Sequence, residues 1–270
     1  MNTQHPTPDL DLNAVLNELV ASIQAILGDN FIGAYLNGSF AVGDWDTDSD
    51  VDFLVAIEHE VSEADLSALQ AMHAGIYQLE SNWAKHLEGS YFPKEILKSG
   101  NRTKEPLLYL DNTHDQLIQS DHDNTLVVRW MVRERGITLV GPDPKELIDP
   151  VPAGDLREEV LATMHDWAKE IFAGHWQMNN RWAQPFAVLS YCRMLHTLQT
   201  GRVESKPAGA QWTKSALDRR WAGLIQRAWE VRPNPSLKVQ QEADPADLEL
   251  TLGFIRYALA VSSQFMNEAG

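Results

Sequence analysis

Between Gly141 and Asp155 the chain reads GPDPKELIDPVPAGD, with four prolines and two glycines in fifteen residues. Proline fixes φ and removes a backbone donor, and it pushes the preceding residue out of the helical region. No long helix or central strand runs through such a stretch, so it divides the chain into residues 1–150 and 151–270. A length of 270 residues is ample for two cores.

The two sides differ in hydrophobic period. In DLNAVLNELVASIQAILGDN the apolar residues Val15, Leu16, Leu19, Val20, Ile23, Ile26 and Leu27 fall at helical spacing, with Asp11 or Asn13 as cap and Gly28 as stop. FIGAYLNG and VDFLVAIE then read as strands, and SEADLSALQAMHAGIYQLE as a helix capped by Ser62 or Asp65. KHLEGSYFP reads as a third strand and LLYLD as a weak fourth. HDNTLVVRWMVRERG is helical through Arg135, and ITLVG is a short apolar run. Beyond the proline-rich stretch every apolar pattern is helical: LREEVLATMHDWAKEIFAG, QPFAVLSYCRMLHTLQTG, KSALDRRWAGLIQRAWEVR and DLELTLGFIRYALAVSSQFM. The expected fold is an α/β (α+β) domain with a mixed sheet, followed by an all-α helical bundle.

Composition narrows the partners. A formal charge of -16 argues against nucleic acid, whose phosphates need a basic footprint, and suits a cationic small molecule or a metal–nucleotide complex. Acidity kept for solubility accounts for it equally well. The single cysteine, Cys192, excludes an intramolecular disulfide and a multi-cysteine zinc site. The start MNTQHPTPDLDLNAVL lacks the basic and apolar regions of a signal peptide, and no run reads as a membrane span. The expected location is the cytoplasm, away from membranes.

The stretch LNGSFAVGDWDTDSDVDFLV sets Asp50 and Asp52 into what otherwise reads as a buried strand. Side chains two apart on a strand share a face, so the two carboxylates project together and repel. A divalent cation keeps both ionised, and hard oxygen ligands without His or Cys favour magnesium. Upstream, Gly38-Ser39 closes the first strand, where glycine permits close backbone approach and a serine hydroxyl can donate. A phosphate cradle and a carboxylate pair eleven positions apart are the parts of metal-assisted phosphoryl or nucleotidyl transfer. The plain alternative is an acidic turn, Asp44, Asp46, Asp48 and Asp50, with Asp52 at its edge.

GSFAVGDWDTDSDVDFLV resembles the signature of the nucleotidyltransferase superfamily related to DNA polymerase beta. TLVGPDPKELIDPVP followed by LSYCRMLHTLQTGRVESKPAGAQW resembles the aminoglycoside adenylyltransferases that modify streptomycin and spectinomycin. The resemblance implies that Asp50 and Asp52 bind magnesium, two ions with ATP as co-substrate, and that Gly38, Ser39 and Ser49 hold the triphosphate. It implies that Glu88 is the catalytic base, that Arg193 and Lys206 meet the phosphates, and that Trp229 supports the nucleotide. It further implies that a helical domain folds over that nucleotide.

The residues alone leave these roles open. Glu88 could be an edge-strand glutamate facing solvent, Arg193 a salt-bridge partner, and Lys206 a solvated lysine in a Gly-to-Pro loop. MNNRWAQP lacks the acidic residue that streptomycin-binding members carry before the helix at FAVLSY, with Ala183 at the nearest position. Asn179, Asn180, Arg181 and Trp182 could shape a different acceptor pocket or cap that helix. HDQLIQSDHDN, with His114, His122 and three aspartates, sustains no metal-ligand spacing and reads as a solvated loop in preference to a metal site.

The expected activity is magnesium-dependent transfer of AMP from ATP to a hydroxyl of a small, cationic acceptor, a spectinomycin-like aminocyclitol first. The alternatives are modification of a protein or a tRNA end, and a nucleotide-binding sensor without turnover.

Overall fold

The computed structural model describes residues 5–98, 104–232 and 238–268. The chain separates into two compact units, Met1–Val151 and Pro152–Gly270.

The first unit is built on a six-stranded sheet of order β5-β4-β3-β2-β1-β6. Its strands are β1 (Phe31–Leu36), β2 (Val51–Ile57), β3 (Leu87–Pro93), β4 (Leu107–Leu110), β5 (Leu117–Ser120) and β6 (Ile137–Val140). Among the described residues only β2 and β3 pair in parallel; β1 pairs antiparallel with β2 and β6, and β3–β4 and β4–β5 are antiparallel. A parallel pair needs a crossover, supplied here by helix α3 (Glu63–Tyr77). That helix starts on Ser62, whose side chain accepts from the Asp65 amide.

The apolar run of β2 after Asp52, Phe53–Ile57, follows from burial on both faces. Val51, Phe53, Val55 and Ile57 pack with Leu12, Leu16, Leu19 and Ile23 of α1 (Leu10–Leu27) and with Leu69 and Ile76 of α3. Leu54 and Ala56 face a second cluster containing Tyr35, Phe92, Leu97, Val132 and Leu147. Short helices α2 (Gly38–Val42), α4 (Lys94–Lys98) and α6 (Pro144–Leu147), together with α5 (Leu126–Arg135), complete this unit.

Three local expectations are corrected. The cap of α1 is Asp9, whose Oδ1 accepts from Leu12 N at 2.9 Å, rather than Asp11 or Asn13. Asn13 is buried and bonded to Thr7 instead. By length and composition Leu10–Asn30 matches a membrane span, which the sequence reading overlooked. In the fold α1 is amphipathic, with Leu12 and Ile23 fully buried in the core. Finally, HDQLIQSDHDN is not all loop, because Leu117–Ser120 forms β5. Four residues with polar neighbours give little local signal; pairing with β4 and the Gln70 side chain, which bonds Leu117 N and Asp115 O at 2.8 Å each, decide it.

The second unit is built on helices, with one isolated antiparallel bridge, Asn180–Glu242, among its described residues: α7 (Ala153–Phe172), α8 (Ala183–Thr200), α9 (Lys206–Ala216), α10 (Ala222–Val231) and α11 (Pro245–Glu268). Helix α8 is central and packs against the other four. Its buried residues cover most of its circumference, from Ala187, Val188 and Tyr191 to Leu195 and Leu198. KSALDRRWAGLIQRAWEVR, expected as one helix, is broken. Leu217 is extended, Asp218 accepts from Arg220 N at 3.0 Å, and a single 3₁₀ turn at Arg219–Trp221 leads into α10. A short acidic side chain competing for backbone donors restarts the helix there. Lys206, expected in a loop, is the first residue of α9, entered through Ser205, whose hydroxyl accepts from Ala208 N at 3.2 Å.

Candidate active site

The end of β1 and the starts of β2 and β3 gather the carboxylates. The Asn37 amide donates to Asp52 O at 2.8 Å, tying the turn after β1 to the second residue of β2. Gly38 follows with φ +60°, and a Cβ there would lie 1.8 Å from Asp52 Oδ2. Only glycine leaves that space to the carboxylate. In the parallel register Asp52 lies directly beside Glu88.

Asp50 stands one residue before β2 rather than inside it, and its Oδ1 accepts from Asn112 Nδ2. Both aspartates are half-buried at the strand's mouth rather than deep in the core, so their charge is partly solvated. Among the described residues no group of three or more His, Cys, Asp or Glu side chains forms a metal cage.

Glu88 is well shielded, with 16% of its side chain exposed. Burial pushes its carboxyl up to about 7; the Tyr109 hydrogen bond opposes this, Asp50 and Asp123 reinforce it, and His122 opposes it. A carboxyl that titrates near neutrality is suited to take and return a proton. The Tyr109 hydroxyl donates to Glu88 Oε1 at 2.7 Å, and His122 Nε2 lies 3.5 Å from the same oxygen. Asp123, beside His122, accepts from Ser90 Oγ at 2.8 Å.

The other candidates are placed as follows. Ser39 sits half-buried in the first turn of α2 beside Gly38. Ser49 is buried and uses its hydroxyl locally, accepting from Asp46 N at 2.9 Å and donating to Asp46 Oδ1 at 3.3 Å. It shapes the turn that delivers Asp50.

In the helical unit, Phe186 and Arg193 are seven residues apart and so share one face of α8. Lys206 Nζ lies 5.3 Å from the Phe186 ring centroid. A Cβ on Gly209 would come within 2.7 Å of Arg193 Cα, so α9 is locked closely onto α8 at this arginine. Trp229, on α10, lies under the Arg232 guanidinium at 4.6 Å. Trp182 stacks on Phe186 at 4.9 Å, and Trp167 and Trp176 complete a four-ring cluster. The MNNRWAQP segment caps α8: Asn180 Oδ1 accepts from Trp182 N at 3.0 Å and Ala183 N at 2.7 Å. Arg181 N is bonded to Gln241 O at 2.9 Å.

Tyr109, Asn112 and His122 were not singled out as site residues by sequence reasoning. Tyr109 lies in a short apolar strand and Asn112 and His122 in short polar segments, and only strand pairing brings them to Glu88 or Asp50.

Residues 16–107 match the family model of the nucleotidyltransferase domain, and residues 146–254 that of the aminoglycoside adenylyltransferase C-terminal domain. An aminoglycoside (3'') (9) adenylyltransferase of Shigella flexneri is 23% identical over 243 residues, covering 87% of this chain and 90% of the relative. A spectinomycin 9-adenylyltransferase of Staphylococcus aureus is 23% identical over 217 residues, covering 75% and 78%. Among solved structures, a spectinomycin adenyltransferase from Enterococcus faecialis, with ATP and spectinomycin, superposes with a TM-score of 0.67. It shares 17% identity and covers 92% of this chain and 98% of that one, a likeness of fold. The chain therefore joins a nucleotidyltransferase domain to the C-terminal domain of the aminoglycoside adenylyltransferases, and it is a nucleotidyltransferase.

Proposed function

We propose that this enzyme transfers AMP from ATP to a hydroxyl of a small aminocyclitol, a spectinomycin-like acceptor before a streptomycin-like one. The observation that carries the reading is the gathering of Asp50, Asp52 and Glu88 beside the Gly38 turn. Asp50 and Asp52 would hold magnesium: they are hard oxygen donors, and this ion takes its remaining ligands from phosphate and water, so two carboxylates suffice. The open space over Gly38 that admits the Asp52 carboxylate fits that role. When bound, the metal supplies charge stabilisation for the reacting phosphoryl group.

The chain's own groups do the rest. Glu88 accepts the proton of the acceptor hydroxyl as that oxygen bonds to the α-phosphorus and pyrophosphate departs. Gly38 and Ser39 present close backbone and a hydroxyl to the triphosphate, and Ser49 keeps the Asp50 turn in shape. Arg193 and Lys206 supply a guanidinium fork and a point charge for polyphosphate, and Trp229 supports the nucleotide. The rings of Trp176, Trp182 and Phe186 offer a stacking surface to a sugar or an ammonium group. Arg181, exposed nearby in sequence, disfavours a guanidino acceptor. The need for ATP and the buried Cys192 thiol suit a cytoplasmic location.

The test is incubation with ATP, magnesium, and spectinomycin or streptomycin, read by mass spectrometry, beside expression in a drug-sensitive bacterium. An adenylylated spectinomycin is expected. No adduct on either drug and no protection would remove the antibiotic acceptor.

A further inference from the structure

Glu88 faces a problem that the transfer reaction creates. A shielded carboxylate that takes a proton at each turnover must lose it again, and its 16% exposure gives water little access.

Besides Asp52 on β2, the neighbours of Glu88 come from β4 and from the turn after β5. Tyr109 Oη donates to Glu88 Oε1 at 2.7 Å and lies 3.2 Å from Asp111 Oδ1. Burial, with Glu88 beside it, raises the Tyr109 phenol far above its ordinary value, so it holds its proton and acts as a donor. His122 Nε2 lies 3.5 Å from Glu88 Oε1, and 61% of its side chain is exposed. Its ring packs on Tyr109 at 5.3 Å with a 34° tilt. Asp50, His122 and Asp123 act on Glu88 electrostatically, and Asp52 is its register partner on β2.

His122 is also held from the main chain. The next residue, Asp123, accepts from Ser90 Oγ at 2.8 Å on β3. Asn124, buried, donates to Glu105 O at 2.8 Å and accepts from Arg129 Nη2 at 2.7 Å. The turn that carries the imidazole is thereby pinned to the sheet and to α5. That support holds the imidazole 3.5 Å from one carboxylate oxygen.

We infer that Tyr109 is a positioning residue for Glu88 and that His122 carries the proton from Glu88 to solvent. The inference rests on Glu88 being the base. The acceptor O–H proton passes to Glu88 as the new P–O bond forms and the bond to pyrophosphate breaks. The terminal torsion of glutamate is soft, so the protonated oxygen can turn toward His122. The proton then moves from the Glu88 carboxyl to Nε2, the imidazolium releases it to water, and the carboxylate is restored. No electron is exchanged.

The experiment follows pyrophosphate release with spectinomycin as acceptor, or with water as acceptor in slow ATP hydrolysis should the drug be refused. His122→Ala is expected to lower kcat by about tenfold, less than the ~10²–10⁴ of losing the base itself. Its KM for ATP and acceptor should stay within about twofold, since an interaction made after binding was removed. Free imidazole should restore its kcat in a saturable way, which a structural role for His122 would not allow. Tyr109→Phe should lose kcat with no imidazole rescue, and the exposed His114→Asn should behave as wild type.

Wild-type kcat in His122→Ala, or a loss that imidazole leaves untouched, would overturn the proton outlet. Unchanged kcat in Tyr109→Phe would overturn the positioning role. Glu88→Gln separates the two levels: if it keeps turnover the base assignment itself fails, and if it is inactive with and without imidazole the result on His122 stands alone.

Discussion

The carboxylate cluster on the sheet and the cationic, aromatic face on α8 are held by different kinds of bond. On the sheet Asp52 and Glu88 have backbone addresses: Asp52 is bonded by the Asn37 amide, and strand register sets it beside Glu88. In the helical unit, Arg193 on α8 and Lys206 on α9 depend on side-chain packing, through the close approach at Gly209 and the Phe186 ring. Strand register tolerates no half-steps, because a shift of one residue turns every side chain to the other face. Helix packing varies more continuously. The sheet site should therefore fail sharply when its residues change, and the helical face by degrees.

The largest effect is expected at the acids. Glu88→Gln should cut turnover by about 10²–10⁴-fold while ATP binding persists. Asp50→Asn and Asp52→Asn should each cost about 10²–10³-fold. Unfolding free energies should stay within about 1 kcal/mol of wild type, as the three sites lie at the strand mouth. Turnover and calorimetry on the same preparations check both halves; near wild-type rates in either aspartate variant would break the metal assignment.

Two glycines then contrast the regions directly. Gly38→Ala forces a Cβ onto the Asp52 carboxylate at φ +60°. It should lose about 10²-fold in turnover, with strain of about 1–2 kcal/mol. Gly209→Ala presses on Arg193 Cα and should lower stability by about 1–3 kcal/mol, with a smaller loss of rate. Equal kinetic losses would mean that the two regions are equally unforgiving.

Acid should also separate the units. Burial lowers the His73 pKa to about 4, against an ordinary 6.5. It sits between Phe53 and Tyr91, its Nε2 within 2.7 Å of the Tyr91 hydroxyl. Protonation favours the unfolded chain, so stability is full above 6.5 and declines as pH falls toward 4. The decline is about 2 kcal/mol at pH 5. In the helical unit His196 is also lowered by burial, but Glu204 opposes the shift. Denaturation followed separately in each unit should show the first losing more between pH 6.5 and 4, and His73→Gln should flatten its slope.

The smallest effect is expected from single cations. Arg193→Ala and Lys206→Ala should each weaken ATP binding about tenfold, or about 1.4 kcal/mol, with little change in thermal midpoint. Titration calorimetry decides it. Unchanged affinity in both would remove the helical face from the nucleotide site.

The sequence by itself determined what local pattern and spacing can encode. The change of hydrophobic period on either side of Gly141–Asp155 set a mixed sheet against a helical bundle. Burial of β2 on both faces appears as VDFLVAI without alternation. Two acids against an apolar strand after a Gly-Ser turn marked the place to look, because a carboxylate near a core is costly and seldom accidental.

Tertiary structure decided whatever depends on partners far along the chain. Leu117–Ser120 becomes a strand because β4 pairs with it. Arg129 reads as a surface residue of a helix, yet it is 1% exposed, bonded to the carbonyls of Leu97, Thr125 and Ile96. A polar residue in a helix carries no mark of the acceptors that will meet it. Tyr109 and His122 show the same limit: their own neighbours in sequence are those of a turn and a short strand. Thirteen residues apart, they converge on Glu88 only once β4 and β5 have paired and Ser90 and Asn124 have pinned the turn. A pattern reports which side chains a segment must bury, whereas hydrogen-bond partners brought together by folding are not written in any window of the sequence.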